Sequence, residues 1–323
     1  MNARVLISRP VNQQAIDDLA KRCQVQVHPF DAPMAQEVLG RELATVDGFM
    51  PCGQIVGRDA IALASKLRVI ANIGAGYDHI DLDACNTRRI VVTNTPDVLS
   101  EATADTAFAL LLSTARRLIE GDRYVRAGTW SHWQWNFLWG ADLHGKTLGL
   151  YGCGRIGQAM ACRGRGFSMR ILYHARHRLP TSLEHEFRAE LVDKQTILRE
   201  SDFLSLHVPS TTETRHSIGK AELALMKPSA FIINTARGNI IDEEALVQAL
   251  AAGQIRGAGL DVFENEPKVH PGLMRLNNVT LLPHIGSATA ETRSRMAGLA
   301  AQNLIAFLDG RRPPNVVNPQ VLD

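Results

Sequence analysis

The sequence is poor in several features that mark specialised environments. Cysteine is scarce, with five in 323 residues, at Cys23, Cys52, Cys85, Cys153 and Cys162. The number is odd and no two form a CxxC pair, which suits neither a disulfide framework nor a zinc site. Free thiols in a reducing compartment, and no metal, are the expectation. Charge of one sign is also missing. Lys and Arg total 35 against 33 Asp and Glu, a formal +2, so no overall field draws the chain onto nucleic acid or an anionic membrane. Long hydrophobic runs are absent. The N-terminal run Val5-Leu6-Ile7 is soon closed by Arg9 and Pro10, well short of the roughly 7–15 apolar residues of a secretory signal. Residues 107–112 fall equally short of the ~20 that span a bilayer. A cytoplasmic protein with no nucleic-acid or membrane partner is expected.

What is present is an ordinary globular composition, 45% hydrophobic and 21% charged, which argues against disorder. At roughly 100–200 residues per domain the length suggests two domains. Short aliphatic and β-branched runs alternate with helical patterns, the mark of βαβ units and parallel sheet. A first series of candidate strands covers 4–8, 25–28, 48–50, 69–71 and 90–93, with helical patterns such as 13–21 and 58–65 between them. A long helix follows from Ser100, a candidate N-cap, to about Arg117. All four tryptophans, Trp130, Trp133, Trp135 and Trp139, then fall close together. They read as core or as a contact between copies. A second strand series covers 147–151, 170–174, 203–207, 230–234, 257–262 and 279–282, each continuous and apolar as in strands buried on both faces. A last helix, about 290–309, is placed to return to the first series.

Gly152-Cys153-Gly154-Arg155-Ile156-Gly157 is a GxGxxG between a strand and a helix. In that context the first glycine makes a tight turn, the second admits a pyrophosphate, and the third lets helix and strand pack closely. The helix N-terminus offers N–H groups to the anion. A structural turn or a methyltransferase-type loop is the competing reading. The next strand ends in His174-Ala175-Arg176-His177-Arg178, where an NAD site would place an acid on the ribose 2′-OH. From Leu143 to Leu183 there is no Asp or Glu, but Lys146 and six arginines, a local +7. Guanidinium forks suit phosphate, so NADP(H) is expected in preference to NAD(H), with His174, Arg176 and Arg178 at the 2′-phosphate. A solvated basic loop is the plainer alternative.

In open α/β sheets ligands bind outside the carboxyl ends of the strands. Three of those ends lead into Thr235-Ala236-Arg237-Gly238, Asp261-Val262-Phe263-Glu264-Asn265-Glu266-Pro267 and Pro283-His284-Ile285-Gly286. An arginine can hold a carboxylate and polarise a carbonyl while staying charged. A histidine can exchange a proton near neutral pH. A carboxylate beside it orients the ring and favours the imidazolium.

With these segments, together with Gly74-Ala75-Gly76-Tyr77-Asp78 and Glu101-Ala102-Thr103-Ala104-Asp105, the chain resembles the D-isomer-specific 2-hydroxyacid dehydrogenases over essentially its whole length. Within that family the Ala175-Arg176 turn and the run Ile285-Gly286-Ser287-Ala288-Thr289 are most similar to the glyoxylate/hydroxypyruvate reductases, including the type that reduces 2-ketogluconate. The resemblance implies two doubly wound parallel-sheet α/β domains. A Rossmann nucleotide-binding domain, 100–287, would be inserted in a smaller flavodoxin-like substrate domain, 1–99 with 288–323. It implies NADPH-dependent reduction of a small 2-oxo acid to the D-2-hydroxy acid, with NAD(H) as a possible substitute, hinge closure over the substrate, and a homodimer. Arg237 would bind the substrate carboxylate and C2 oxygen, His284 would be the general acid, and Glu266, not Glu264, would hydrogen-bond it. Gly74, Ala75 and Gly76 would bind the substrate carboxylate through backbone N–H groups. Thr103, Gly152, Gly154, Arg155, Ile156, Gly157, Pro209, Thr235 and Asp261 would contact the cofactor. Trp139 would help to cover the substrate pocket. A 2-ketoaldonate substrate, or a dinucleotide-sensing binding protein, are the competing functions.

Overall fold

A computed structural model describes residues 3–322. The chain divides into two units: one combines residues up to Leu99 with those from Ala288 onward, and the other is Ser100–Ser287.

In the first unit, strands β1 (Arg4–Ile7), β2 (Gln24–Val27), β3 (Gly48–Met50), β4 (Val69–Ala71) and β5 (Val91–Thr93) alternate with helices α1 (Gln13–Ala20), α2 (Gln36–Leu43), α3 (Arg58–Leu63) and α4 (Leu82–Thr87). All strands are parallel, in the order β2-β1-β3-β4-β5. This is the flavodoxin-like order. The short aliphatic strands β3, β4 and β5 are buried throughout. Only β2, at the edge, alternates exposed and half-buried residues. In register, Ala71 of β4 faces Thr93 of β5, so the loops that follow these strands start side by side.

The second unit opens with α5 (Ser100–Ala115) and α6 (Leu118–Arg126), and continues through β6 (Thr147–Tyr151), α7 (Arg155–Gly166), β7 (Arg170–His174), α8 (Thr181–Phe187), β8 (Ala189–Leu191), α9 (Lys194–Glu200) and β9 (Phe203–Leu206). It ends with α10 (Lys220–Leu223), β10 (Phe231–Asn234), α11 (Glu243–Ala251), β11 (Gly257–Leu260), α12 (Pro271–Met274) and β12 (Val279–Leu281). The chain then returns to the first unit as α13 (Ala290–Leu308), capped by the Thr289 hydroxyl. The seven parallel strands run β12-β11-β10-β9-β6-β7-β8, the Rossmann order with one strand added, and the order reverses between β6 and β9. Alternate side chains feed two cores. Phe203, Phe231 and Ile233 join one, while Leu204, Leu206 and Ile232 join the other. Two covered faces explain why these strands read as unbroken apolar runs.

The differences from the sequence expectations have local causes. The strands expected at 203–207 and 257–262 stop at Leu206 and Leu260, because the residues beyond leave the sheet to form loops. Ser100 is the first helical residue, not a cap. The helix expected to reach Arg117 stops at Ala115, since Arg117 adopts a left-handed backbone (φ 55°) before α6 starts. The strand β8 was not expected; three residues with two exposed give almost no periodic signal. Among the described residues no helix is long and apolar enough to cross a membrane.

Candidate active site

The register of the seven-stranded sheet aligns the strand ends. His174 pairs with Tyr151, Tyr151 with Leu206, Leu206 with Asn234, Asn234 with Leu260, and Leu260 with Leu281. The glycine loop and the loops that bear Arg237, Glu266 and His284 leave from this single row.

The glycine loop follows β6 at the point where the strand order reverses. Gly152 has φ +94°, and a Cβ there would lie 2.7 Å from the His207 backbone. A Cβ on Gly157 would lie 2.5 Å from the Gly152 carbonyl oxygen. Gly154 differs, since a Cβ there would meet nothing within 4 Å. The first and third glycines are therefore required by the chain's own packing, whereas the second keeps an open approach at the N-terminus of α7, which starts at Arg155. That is the arrangement a pyrophosphate needs. A second sign of a ligand is the Thr235 hydroxyl, which is buried without a hydrogen-bond partner among the described residues; such an atom calls for an external partner. These features fit a dinucleotide. Around them, Thr103 is buried beside Gly286, Ile156 packs against the core, and Pro209 is exposed with its carbonyl accepting from the Thr214 hydroxyl at 2.6 Å. Cys153 is buried, which pushes its thiol up to about 12. His207 lies behind the loop with Nε2 2.8 Å from the Ser205 hydroxyl, and burial pushes its imidazole down to about 3.

The basic stretch is less free than its composition suggests. Arg163 pairs with Glu101 and Asp105, Arg170 with Glu190 and Glu200, and Arg178 with Glu184. All these acids lie outside 143–183. The Arg178 pair is doubly hydrogen-bonded, with Nε 3.0 Å and Nη2 2.9 Å from the carboxylate. The same carboxylate accepts from the buried Tyr173 hydroxyl at 2.5 Å. Arg178 thus ties the turn to α8 through Glu184. His174 stacks on Tyr151, with ring centroids 5.6 Å apart, and its Nδ1 lies 3.0 Å from the Val192 carbonyl. Arg176 is exposed at the tip of the turn.

After β10 the chain is folded tightly around Asn234. Its side-chain amide donates to the Arg237 carbonyl at 2.8 Å, and its oxygen accepts from the Ala236 N–H at 3.0 Å. Arg237 is half-buried and donates from Nη1 to the Ala236 carbonyl at 2.7 Å. Gly238 packs so closely on the loop after β11 that a Cβ would lie 1.9 Å from the Phe263 carbonyl carbon. In that loop Glu266 accepts from the Phe263 N–H at 3.0 Å and from His284 Nδ1 at 2.8 Å. Burial alone would raise the Glu266 carboxyl. The His284 hydrogen bond and charge, the Phe263 N–H and the Arg237 guanidinium outweigh it and hold the group below its ordinary value. Glu264 turns away, accepting from Arg215 and lying 2.8 Å from His216 Nε2. The loop is also held from behind, where buried Glu243 accepts from the Glu264 N–H at 2.8 Å.

His284 sits in a left-handed backbone conformation, φ 54°, which costs a non-glycine residue about 1–2 kcal/mol. The buried Asp261 enforces it. The Asp261 carbonyl accepts from the His284 N–H, and its two carboxylate oxygens accept from the N–H groups of Ile285 and Gly286, both at 2.7 Å. Burial raises the Asp261 carboxyl, only partly offset by these hydrogen bonds and by His284. The His284 side chain keeps 51% exposure, so the ring is held on one side and open on the other.

In the other unit, the loop 72–77 leaves β4 beside the end of β5. Asn72, His79 and Asn94 line it from within, and Gly74, Ala75 and Gly76 are half-buried. The sequence reading missed Asn72, Asn94, Asn234 and Glu243. The signal was thin: asparagines directly at strand ends, where an amide can both donate and accept across a turn.

A family model for the D-isomer specific 2-hydroxyacid dehydrogenase NAD-binding domain matches residues 108–286. The glyoxylate reductase of Thermococcus litoralis is 48% identical over 327 residues, covering 100% of this chain and 98% of its own. The chain belongs to the D-isomer specific 2-hydroxyacid dehydrogenase family. As a member it is an NAD(P)-dependent oxidoreductase that reduces a 2-oxo acid. A solved structure from Thermus thermophilus is 44% identical with TM-score 0.91, covering 97% of this chain and 99% of its own. The NADPH-dependent glyoxylate/hydroxypyruvate reductase of Sinorhizobium meliloti, solved with NADP and malonate, is 34% identical with TM-score 0.88, covering 98% and 97%.

Proposed function

We propose that this dehydrogenase is an NADPH-dependent reductase of small 2-oxo acids, with glyoxylate and hydroxypyruvate as substrates and the D-2-hydroxy acid as product where a stereocentre forms. The observation that carries the reading is the His284–Glu266 pair, 2.8 Å apart, with Arg237 close enough to lower the Glu266 carboxyl. The bound nicotinamide supplies the hydride that C2 accepts. Arg237 holds the substrate carboxylate and steadies the negative charge growing on the C2 oxygen. His284 gives that oxygen its proton through Nε2, because Nδ1 is committed to Glu266. Glu266 keeps its negative charge behind the ring, which stabilises the imidazolium before transfer. Gly74, Ala75 and Gly76 are assigned to a substrate carboxylate through their backbone N–H groups, as the family resemblance implies. Oxidation of NADPH on adding glyoxylate or hydroxypyruvate tests the reading; cofactor binding without turnover of any 2-oxo acid would overturn it.

The preference for NADPH is supported by the missing acid at the end of β7 and by the exposed Arg176. His174, Arg176 and Arg178 are retained as the residues of this turn, with Arg176 as the phosphate ligand and Arg178 as its strut. A tenfold preference for NADH would refute the assignment. Thr103, Arg155, Ile156, Pro209, Thr235 and Asp261 are assigned to the cofactor with the glycine loop.

We also propose a homodimer. The four tryptophans are not core, since Trp130, Trp133, Trp135 and Trp139 are 59–74% exposed. With Leu118, Ile119 and Val125 of α6, also exposed, they form an apolar surface of the kind that associates. A groove of about 590 Å³ runs beside it, lined by Arg117, Trp139, Arg256, Met274 and Leu281 and by none of Arg237, Glu266 or His284. Five unpaired cysteines support a reducing, cytoplasmic setting.

A further inference from the structure

The geometry points to Asn72 and Asn94 as positioning residues for the substrate carboxylate, acting through the N–H groups of Ala75, Gly76 and Tyr77. This rests on the reading that the 74–76 loop binds a carboxylate. The register that faces Ala71 with Thr93 brings the two asparagines, each directly after its strand, to the same side of the loop. Asn72 is fully buried. It spends both amide hydrogens on loop carbonyls, donating to the Gly74 oxygen at 3.1 Å and to the Gly76 oxygen at 2.9 Å. Asn94 donates to the Ala75 oxygen between them at 2.7 Å. The Gly74 oxygen takes a further hydrogen bond from the Thr95 N–H at 3.0 Å.

Three successive carbonyls are therefore bound by the fold. In a trans peptide the C=O of one residue and the N–H of the next point in opposite directions. Fixing the carbonyls of Gly74, Ala75 and Gly76 turns the N–H groups of Ala75, Gly76 and Tyr77 away from the amide clamp. Among the described residues none of these three N–H groups donates a hydrogen bond. Successive unpaired N–H groups facing outward form a concave anion site. His79 completes the device. Its Nε2 lies 3.1 Å from the Asn72 side-chain oxygen, which fixes the amide so that its nitrogen faces the carbonyls; the flipped amide would set oxygen against oxygen. The clamp touches no substrate atom. It sets the direction of main-chain dipoles that do.

The test compares kcat/KM for glyoxylate with that for its ethyl ester, which lacks the anionic head, in wild type, Asn72→Asp and Asn94→Ala. Asn72→Asp keeps the shape and removes both donors. With the clamp broken, the preference for acid over ester falls about tenfold, the scale of a lost hydrogen bond to a charged group. It falls through KM more than kcat, and the NADPH dissociation constant stays within about twofold, an outcome that general loosening would not give. Should Asn72→Asp fail to fold, Asn94→Ala decides alone. A wild-type enzyme that reduces acid and ester equally well overturns the carboxylate reading itself. A wild type that discriminates, with folded variants that discriminate as strongly, overturns only the role of the asparagines.

Discussion

Glu266 accepts the His284 Nδ1 hydrogen bond with one oxygen, at 2.8 Å, and the Phe263 N–H with the other, at 3.0 Å. The carboxylate is fixed at both ends, so it fixes the ring. His284→Ala is expected to lower kcat by about 10²–10⁴, the range of a lost general acid. In Glu266→Gln the ring keeps a neighbour but loses the negative charge behind it, and kcat for reduction is expected to fall by at least about tenfold. An unchanged kcat would remove Glu266 from the mechanism.

The depressed Glu266 carboxyl also has a stability signature. Its folded value lies below the ordinary 4.5, so the native state favours the charged form. Its contribution is complete above the unfolded value and is lost as pH falls through the folded one. The difference in urea midpoint between wild type and Glu266→Gln is therefore expected to be constant near neutral pH and to shrink below about pH 4.5.

Gly238→Ala tests the junction between the arginine and glutamate loops. The new methyl would meet main chain 1.9 Å away, which no rotamer change relieves. A loss of about 1–3 kcal/mol in unfolding free energy is expected, with a fall in kcat/KM that persists at temperatures where the variant is fully folded. Normal activity would show that the two loops tolerate separation.

Arg176→Ala and Arg178→Ala separate ligand from strut. The first is expected to raise KM for NADPH about tenfold with little effect on NADH. The second leaves Glu184 with Tyr173 alone and lowers thermal stability, with a smaller change in the NADPH/NADH ratio. The reverse pattern would return the phosphate to Arg178.

Trp139→Ala addresses the exposed aromatic surface. Trp139 donates to the Trp135 carbonyl at 2.7 Å, so its loss loosens that loop. A changed KM or substrate preference supports a role over the pocket. A shift in sedimentation toward the monomer supports a role in association. If neither moves, both assignments fail.

How much of this was legible depended on distance along the chain. The glycine loop could be read because strand, turn and helix follow one another within twenty residues. The choice of Glu266 over Glu264 came from resemblance; the structure adds that Glu264 is already engaged by Arg215 and His216. The composition of the +7 stretch does not show its counter-charges, because they lie elsewhere. Glu184 falls one residue past its end, and Glu101 and Asp105 are 62 and 58 positions from Arg163. The asparagine clamp was invisible for the same reason, since only the pairing of β4 with β5 brings Asn72 and Asn94 together. The tryptophans were read as possible core because composition reports apolarity and not which side of a loop it faces.

The row of aligned strand ends makes the loops above it separable. Each loop departs from a sheet that is buried on both faces, and its neighbours depart from the next positions in the same row. One segment can then be lengthened, shortened or replaced while the hydrogen-bonded ladder beneath it stays intact. A change confined to one loop then leaves the strands that hold the others in place.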